Sequence, residues 1–200
     1  MEPFKSVHGR AIPLNRNNVD TDQIIPARHL KRIERTGYGP FAFEAWRADP
    51  DFVLNNPAYE AAPVLIAKHN FGSGSSREHA VWALEGLGVR AIIALSFADI
   101  FKSNCFQDGV LTIELPEAAV DYLMARAEEL PQSELAIDLE TQTVSTGEGG
   151  WSHRFEIDPF KKYRLLRGLD DISMTLEYEP DIATFEATRP AFLRQVESSS

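Results

Sequence analysis

The sequence predicts an α/β fold built on a mostly parallel sheet, and three observations lead to that expectation. Two compact apolar runs, "VLIAKHN" and "RAIIALS", each precede a segment of helical spacing. The resulting order of strand, loop, helix, strand, helix is the signature of parallel strands joined by crossover helices. The stretch from about Ser133 to Ile157 alternates apolar and polar residues around a glycine-rich break, which adds a β-hairpin to that core.

Taken in order, "FKSVHGRAIPL" reads as a first strand ending near Pro13, and the Asn and Asp cluster of "NRNNVDTD" as a turn-rich loop. The segment "IIPARHLKRIERTGYG" places Arg28, His29, Lys31, Arg32 and Arg35 among few apolar residues, so it reads as exposed. "FAFEAW" opens a short helix, and "ADPDFVLNNPAYEAAP" is a proline-punctuated connector. "VLIAKHN", bounded by Pro63 and a glycine-rich loop, reads as a buried strand. Ala80, Ala83, Leu84 and Leu87 then recur at helical spacing, with Gly86 and Gly88 as a stop. After the strand "RAIIALS", the residues Phe97, Ile100, Phe101 and Cys105 mark the apolar face of a second helix closed by Gly109. "VLTIEL" is a strand, and "PEAAVDYLMARAEEL" is a helix with Val120, Leu123, Met124, Ala127 and Leu130 on one face. "LAIDLETQTVS" and "WSHRFEI" form the arms of the hairpin around "TGEGG". Asp158 and Pro159 supply a cap and a first helical residue for "DPFKKYRLLRGLD". Pro180 and Pro190 break the remainder, so the chain is expected to be one domain over 1–200 with a helical extension from about 159 to 200.

Composition excludes several classes of function. The 200 residues carry 20 Lys and Arg against 30 Asp and Glu, a net charge of -10 that opposes nonspecific binding to nucleic acid or anionic membrane. No apolar run approaches the roughly 20 residues that cross a bilayer, and "MEPFKSVHGR" lacks a signal peptide's apolar core, so the expected compartment is the cytoplasm. Cys105 is the single cysteine, which rules out an internal disulfide and a thiolate-held cluster or cysteine-rich zinc site made by this chain alone.

The chemistry concentrates in "NFGSGSSREHA", Asn70 to Ala80. A loop between a buried strand and a helix faces the helix's free N–H groups and positive dipole end, which suits an anion. Gly72 and Gly74 allow close backbone approach, and Arg77 offers a planar fork for a carboxylate or phosphate. Three readings compete. Ser75 with Glu78 matches a capping box, which requires no ligand. The nucleotide P-loop and dinucleotide fingerprints do not match, which weakens a phosphate cradle. A serine stabilised as its alkoxide by helix N–H groups and an arginine would act as a base toward a carbon acid.

"NFGSGSSREHAVWAL", followed by "RAIIALSFADIFKSNCFQDGVL" and preceded by "NVDTDQIIPARHLK", resembles the swivelling β/β/α domain of the aconitase superfamily, specifically the small subunits of 3-isopropylmalate dehydratase. The resemblance implies that Ser75 is the base that removes and returns a carbon-bound proton. It implies that Ser76 and Arg77 bind substrate carboxylate, and that Asp22 lines the site. It also implies a substrate-selecting loop in the segment Leu30 to Gly37, including Leu30, Lys31, Arg32 and Ile33. "DGVLTI" departs from the Gly-Leu-Leu-Pro common among relatives, in a segment that reads as strand with no chemistry at stake. The implied partner is a separate large subunit holding a [4Fe-4S] cluster, with no cofactor or metal bound by this chain. The implied activity is that of a hydro-lyase of leucine biosynthesis, active only with that subunit. A related substrate, 2-methylmalate or homoaconitate, is the near alternative. A non-catalytic module binding an anionic metabolite is the alternative of a different class.

The remaining candidates read as structure. Cys105 lies on an apolar helical face, His69 and His79 flank the loop and orient it, and Trp46, Trp82 and Trp151 read as packing residues.

Overall fold

A computed structural model of the chain describes residues 1–31, 34–75, 77–147, 150–170 and 184–185. One compact unit comprises Met1–Gly168 and a second Leu169–Ser200. In the first, β1 (Ser6–Pro13), β2 (Val64–Ile66), β3 (Ala91–Ala94) and β4 (Leu111–Glu114) are parallel neighbours, while β5 (Glu134–Asp138), β6 (Thr143–Thr146) and β7 (Ser152–Arg154) are antiparallel, in the order β4-β3-β2-β1-β5-β6-β7.

β1 joins the two halves by changing partners along its length. Ser6 to Arg10 pair antiparallel with β5, whereas Ala11 to Pro13 pair parallel with β2. The central strands are buried on both faces, as their unbroken apolar runs require. Their period of two sends Leu65, Ile92 and Ala94 to one core, and Val64, Ile66, Ala91 and Ile93 to the other. The first core lies under α3 (Glu78–Gly86) and α4 (Asp99–Asp108), together with α1 (Thr21–Ile24) and α2 (Glu44–Arg47). The second lies under α5 (Glu117–Glu129) and α6 (Pro159–Arg167).

Helix boundaries follow the local chemistry. Gly109 and Gly168 close α4 and α6 in the left-handed conformation, and Asp158 caps α6 by accepting from Lys161 N. On α5, Val120, Leu123, Met124 and Ala127 are buried as their spacing predicts. Leu130 departs from that stripe: it stands just past the last turn and is 53% exposed. Ile100 departs from the face expected of α4, being 55% exposed in the first turn, while Phe101 and Cys105 are buried.

The hairpin expectation is also corrected. "LAIDLETQTVS" holds two strands rather than one arm, so β5, β6 and β7 form a three-stranded meander. The turn that breaks the segment is made by Asp138, whose Oδ1 accepts from Thr141 N at 2.7 Å and Thr141 Oγ1 at 2.8 Å. Gln142 completes it with a positive φ of 55°. A local Asx-type turn of this kind carries no glycine or proline to mark it.

Candidate active site

The carboxyl ends of the parallel strands gather the loops that carry the motifs, the usual location of sites in such sheets. After β1 the chain turns through Asn18, at a φ of 53°, and runs beside the loop after β2. Val19 C=O accepts from Gly72 N at 2.8 Å and Ser73 N at 3.1 Å, and Thr21 N donates to Ser73 C=O at 2.9 Å. Thr21, 2% exposed, donates its Oγ1 hydroxyl to Ser75 C=O at 2.8 Å. The serine loop is therefore clamped by the segment that carries Asp22.

The capping box stands elsewhere than expected. α3 begins at Glu78 with Arg77 as its N-cap and no side-chain capping bond. Ser75 thus lies two residues before the cap, and the Ser75 to Glu78 spacing is out of register for a box, which needs its glutamate at the third helical residue. Arg77 is itself extended, at φ -144° and ψ 110°, with the bond on Ser75 C=O before it and the pairing with Asp22 on its side chain holding it out of the helix. A complete box is found at Asp20 and Gln23 instead. Asp20 Oδ1 accepts from Gln23 N at 2.7 Å and Gln23 Oε1 from Asp20 N at 3.0 Å. Its Asp-x-x-Gln signature was present in a segment that composition marks as loop. Asp20→Ala is expected to cost about 1 kcal/mol of stability through loss of this cap, measured as a lower thermal midpoint of the isolated chain.

Arg77 and Asp22 meet as a bidentate pair, with NH1 to Oδ1 at 2.5 Å and NH2 to Oδ2 at 2.9 Å. The guanidinium side chain is 15% exposed and the carboxylate side chain 57%. A fork that holds a protein carboxylate in this geometry has the shape to hold a ligand's. Ser75, exposed, and Arg77 line two adjoining cavities. One, of about 240 Å³, is walled by Gly72, Ala98, Ile100 and Phe101 beside Thr21. The other, of about 460 Å³, is walled by Leu30, Glu78, His79 and Asn104.

The remaining candidates take these positions. Leu30 packs against the core and lines the larger cavity, and Lys31 is exposed. Ser76, Arg32 and Ile33 lie outside the described residues. The segment before them is anchored by Glu44, which binds His29 Nε2 at 2.5 Å and Arg28 NH2 at 2.6 Å. The hydrogen bond from His29, followed by that from Arg28, holds the Glu44 carboxyl below its usual range. His79 packs on Trp82 with ring centroids 4.6 Å apart, and burial lowers its pKa, favouring the neutral ring. Cys105 is fully buried, and burial raises its thiol pKa well above the ordinary value. Trp46 stacks on Phe43 under the Arg16 guanidinium, and Trp151 stacks on Tyr122. Among the described residues no group of three or more His, Cys, Asp or Glu is placed to hold a metal ion.

Two contributors were not read from the sequence: Thr21, which ties down Ser75, and Asn104, in the wall of the larger cavity. Asn104 stands three residues after Phe101 on the buried face of α4, and that spacing was the signal that could have flagged it.

Comparison with known proteins gives the family. Residues 1–118 match the aconitase C-terminal domain, and residues 121–159 match LeuD_N. The chain is 55% identical to the 3-isopropylmalate dehydratase small subunit of Rubrobacter xylanophilus over 98% of this chain and all of that one. It is 53% identical to the small subunit of Brevibacillus brevis, over 94% of this chain and all of that one. The crystal structure of 3-isopropylmalate dehydratase (leuD) from Methanocaldococcus jannaschii superposes with a TM-score of 0.66, at 24% identity, over 90% of this chain and 99% of that one, which shows the shared fold. With its carboxylate fork and serine on one clamped loop, the chain belongs to the family of 3-isopropylmalate dehydratase small subunits, within the aconitase superfamily.

Proposed function

We propose that this chain supplies one wall of a hydro-lyase site completed by a separate large subunit, with Ser75 as its base. The reaction is the interconversion of 2-isopropylmalate and 3-isopropylmalate through the dehydrated alkene, in leucine biosynthesis. The observation that carries this reading is the clamp that sets Ser75 and Arg77 in the walls of the same open cavities.

The chemistry follows from those residues. Arg77 takes a substrate carboxylate in its fork, in competition with Asp22, which holds the guanidinium in place and stays beside the ligand as a lining group. Ser76, next in the chain, is proposed to bind carboxylate as well. Ser75 removes the proton from the substrate carbon and returns it in the rehydration step, so its alkoxide must be stabilised by nearby donors. The N–H groups of Glu78 and His79, which open α3 without a side-chain cap, are available for that, whereas Ala80 N–H already donates to Arg77 C=O at 3.2 Å. Leu30, Lys31, Arg32 and Ile33 are proposed to select the alkyl group, a role supported by Leu30 in the cavity wall.

A [4Fe-4S] cluster would supply the Lewis acid that draws off the substrate hydroxyl. Its ligands do not fit this chain, whose one cysteine is buried with a raised pKa, so the cluster is assigned to the large subunit. Closure by that subunit would exclude water from Ser75. The reading places the complex in the cytoplasm; among the described residues no helix is long and apolar enough to cross a membrane.

The test is reconstitution with the cluster-bearing subunit, following the alkene's absorbance. Arg77→Lys keeps the charge and loses the fork, and is expected to raise KM about tenfold with a smaller loss in kcat. An unchanged KM would remove the carboxylate role from Arg77. Competing substrates in the same assay decide between isopropylmalate and the 2-methylmalate or homoaconitate alternatives. Tight nucleotide binding by the isolated chain, without association to a large subunit, would favour a non-catalytic binding module instead.

A further inference from the structure

Asn104 carries a buried amide nitrogen for which the described residues of the free chain offer no partner. It is 8% exposed on α4 and lies between apolar neighbours, Phe101 one turn before and Cys105 directly after. Its Nδ2 is shielded from solvent and, among the described residues, has no hydrogen-bond acceptor. Buried amides almost always find a partner, and one that does not loses its hydration without return. A leucine has the same branching and number of heavy atoms and would carry no polar group to desolvate at this position. The residue also stands in the wall of the cavity lined by Leu30, Ser75, Arg77, Glu78 and His79.

We propose that Asn104 is a positioning residue of the dehydratase site, whose Nδ2 donates a hydrogen bond to the Ser75 oxygen in the assembled enzyme. The inference rests on the reading of Ser75 as the base. Leu30 offers no side-chain acceptor, and Arg77 only donates, with its fork on Asp22. His79 has its ring packed against Trp82 and Tyr38. Glu78 is an exposed carboxylate that water can solvate. The Ser75 oxygen is the acceptor whose charged form has most to gain from a neutral donor, because an alkoxide sealed from water depends on the hydrogen bonds the protein supplies. Ser75 is exposed in the free chain, so the bond forms as its hydroxyl turns into the wall when the large subunit covers the loop.

The experiment compares Asn104→Leu, Asn104→Asp and Ser75→Ala in the full chain, each melted alone and then assayed with the cluster-bearing large subunit. Removing an unpartnered donor should leave the melting temperature of Asn104→Leu equal to or above the parent's. Its kcat should fall about 100-fold, as for loss of one oxyanion-hole donor, with KM nearly unchanged. Asn104→Asp keeps the shape and replaces the donor with an acceptor, so its kcat should fall at least as far even if the leucine variant folds poorly. Normal kcat in both Asn104 variants with an inactive Ser75→Ala would overturn the role of Asn104 and leave Ser75 as the base. A rise in KM alone would assign the donor to the substrate and overturn the proposal. So would a melting temperature lowered in both variants with no loss of kcat in the folded complex, since the amide would then be purely structural. An active Ser75→Ala would overturn both readings together.

Discussion

Ser75→Ala is expected to lower kcat of the assembled enzyme by about 100-fold to 10,000-fold, the range that a positioned general base contributes. The effect should fall on kcat far more than on KM, because the carboxylate fork of Arg77 and its clamp are left intact. The loop is held by backbone groups and by the Thr21 hydroxyl acting on Ser75 C=O, none of which the substitution removes. The variant chain should therefore melt like the parent and co-purify with the large subunit to the same extent. Turnover within a few-fold of the parent, with assembly intact, would show that another group takes the proton.

Gly72→Ala should have the largest effect on the fold around the site. Gly72 has a φ of +76°, and a Cβ there would stand 2.1 Å from Phe101 Cγ, inside the ring's own volume. Phe101 has little room to move, since it is 2% exposed and meets the Phe71 ring edge to face at 5.4 Å. Left-handed strain and overpacking together are expected to cost about 2–5 kcal/mol. For a chain of this size that corresponds to a thermal midpoint lower by roughly 5–15 °C. Activity should fall further than stability alone accounts for, because a shifted Gly72 breaks its bond to Val19 C=O, and the clamp then no longer sets Ser75 against Arg77. Phe101→Leu in the same chain should recover part of the stability by relieving the clash, and leave the strain from φ in place. A Gly72→Ala chain that melts and turns over normally would contradict this account of the loop.

Hydrophobic periodicity made much of the architecture legible. β2 and β3 were readable because strands buried on both faces must be apolar throughout, and α5 because its buried stripe recurs at helical spacing. Leu130 and Ile100 show where such periodicity fails: Leu130 continues a stripe past the last turn of its helix, and Ile100, between the buried Phe97 and Phe101, faces the open cavity beside Ser75. The β5–β6 turn was hidden because it is built by side-chain bonds from Asp138, with no glycine or proline.

By itself the sequence determined the parallel α/β core, the single-cysteine constraint and the family, since all three depend on residue types and their order along the chain. Only the tertiary structure decided how the site is held. Asp22 and Arg77 stand 55 positions apart, and their pairing arises from β1 and β2 lying side by side. Long-range contact also set the register of α3. The bond from Thr21 fixes Ser75 C=O and the pairing with Asp22 holds the extended Arg77, so the helix begins at Glu78 and the Ser75 to Glu78 box that local spacing allows does not form. A capping motif yields to tertiary contact because it contributes only about 1 kcal/mol, less than the combined hydrogen bonds and ion pair of the clamp.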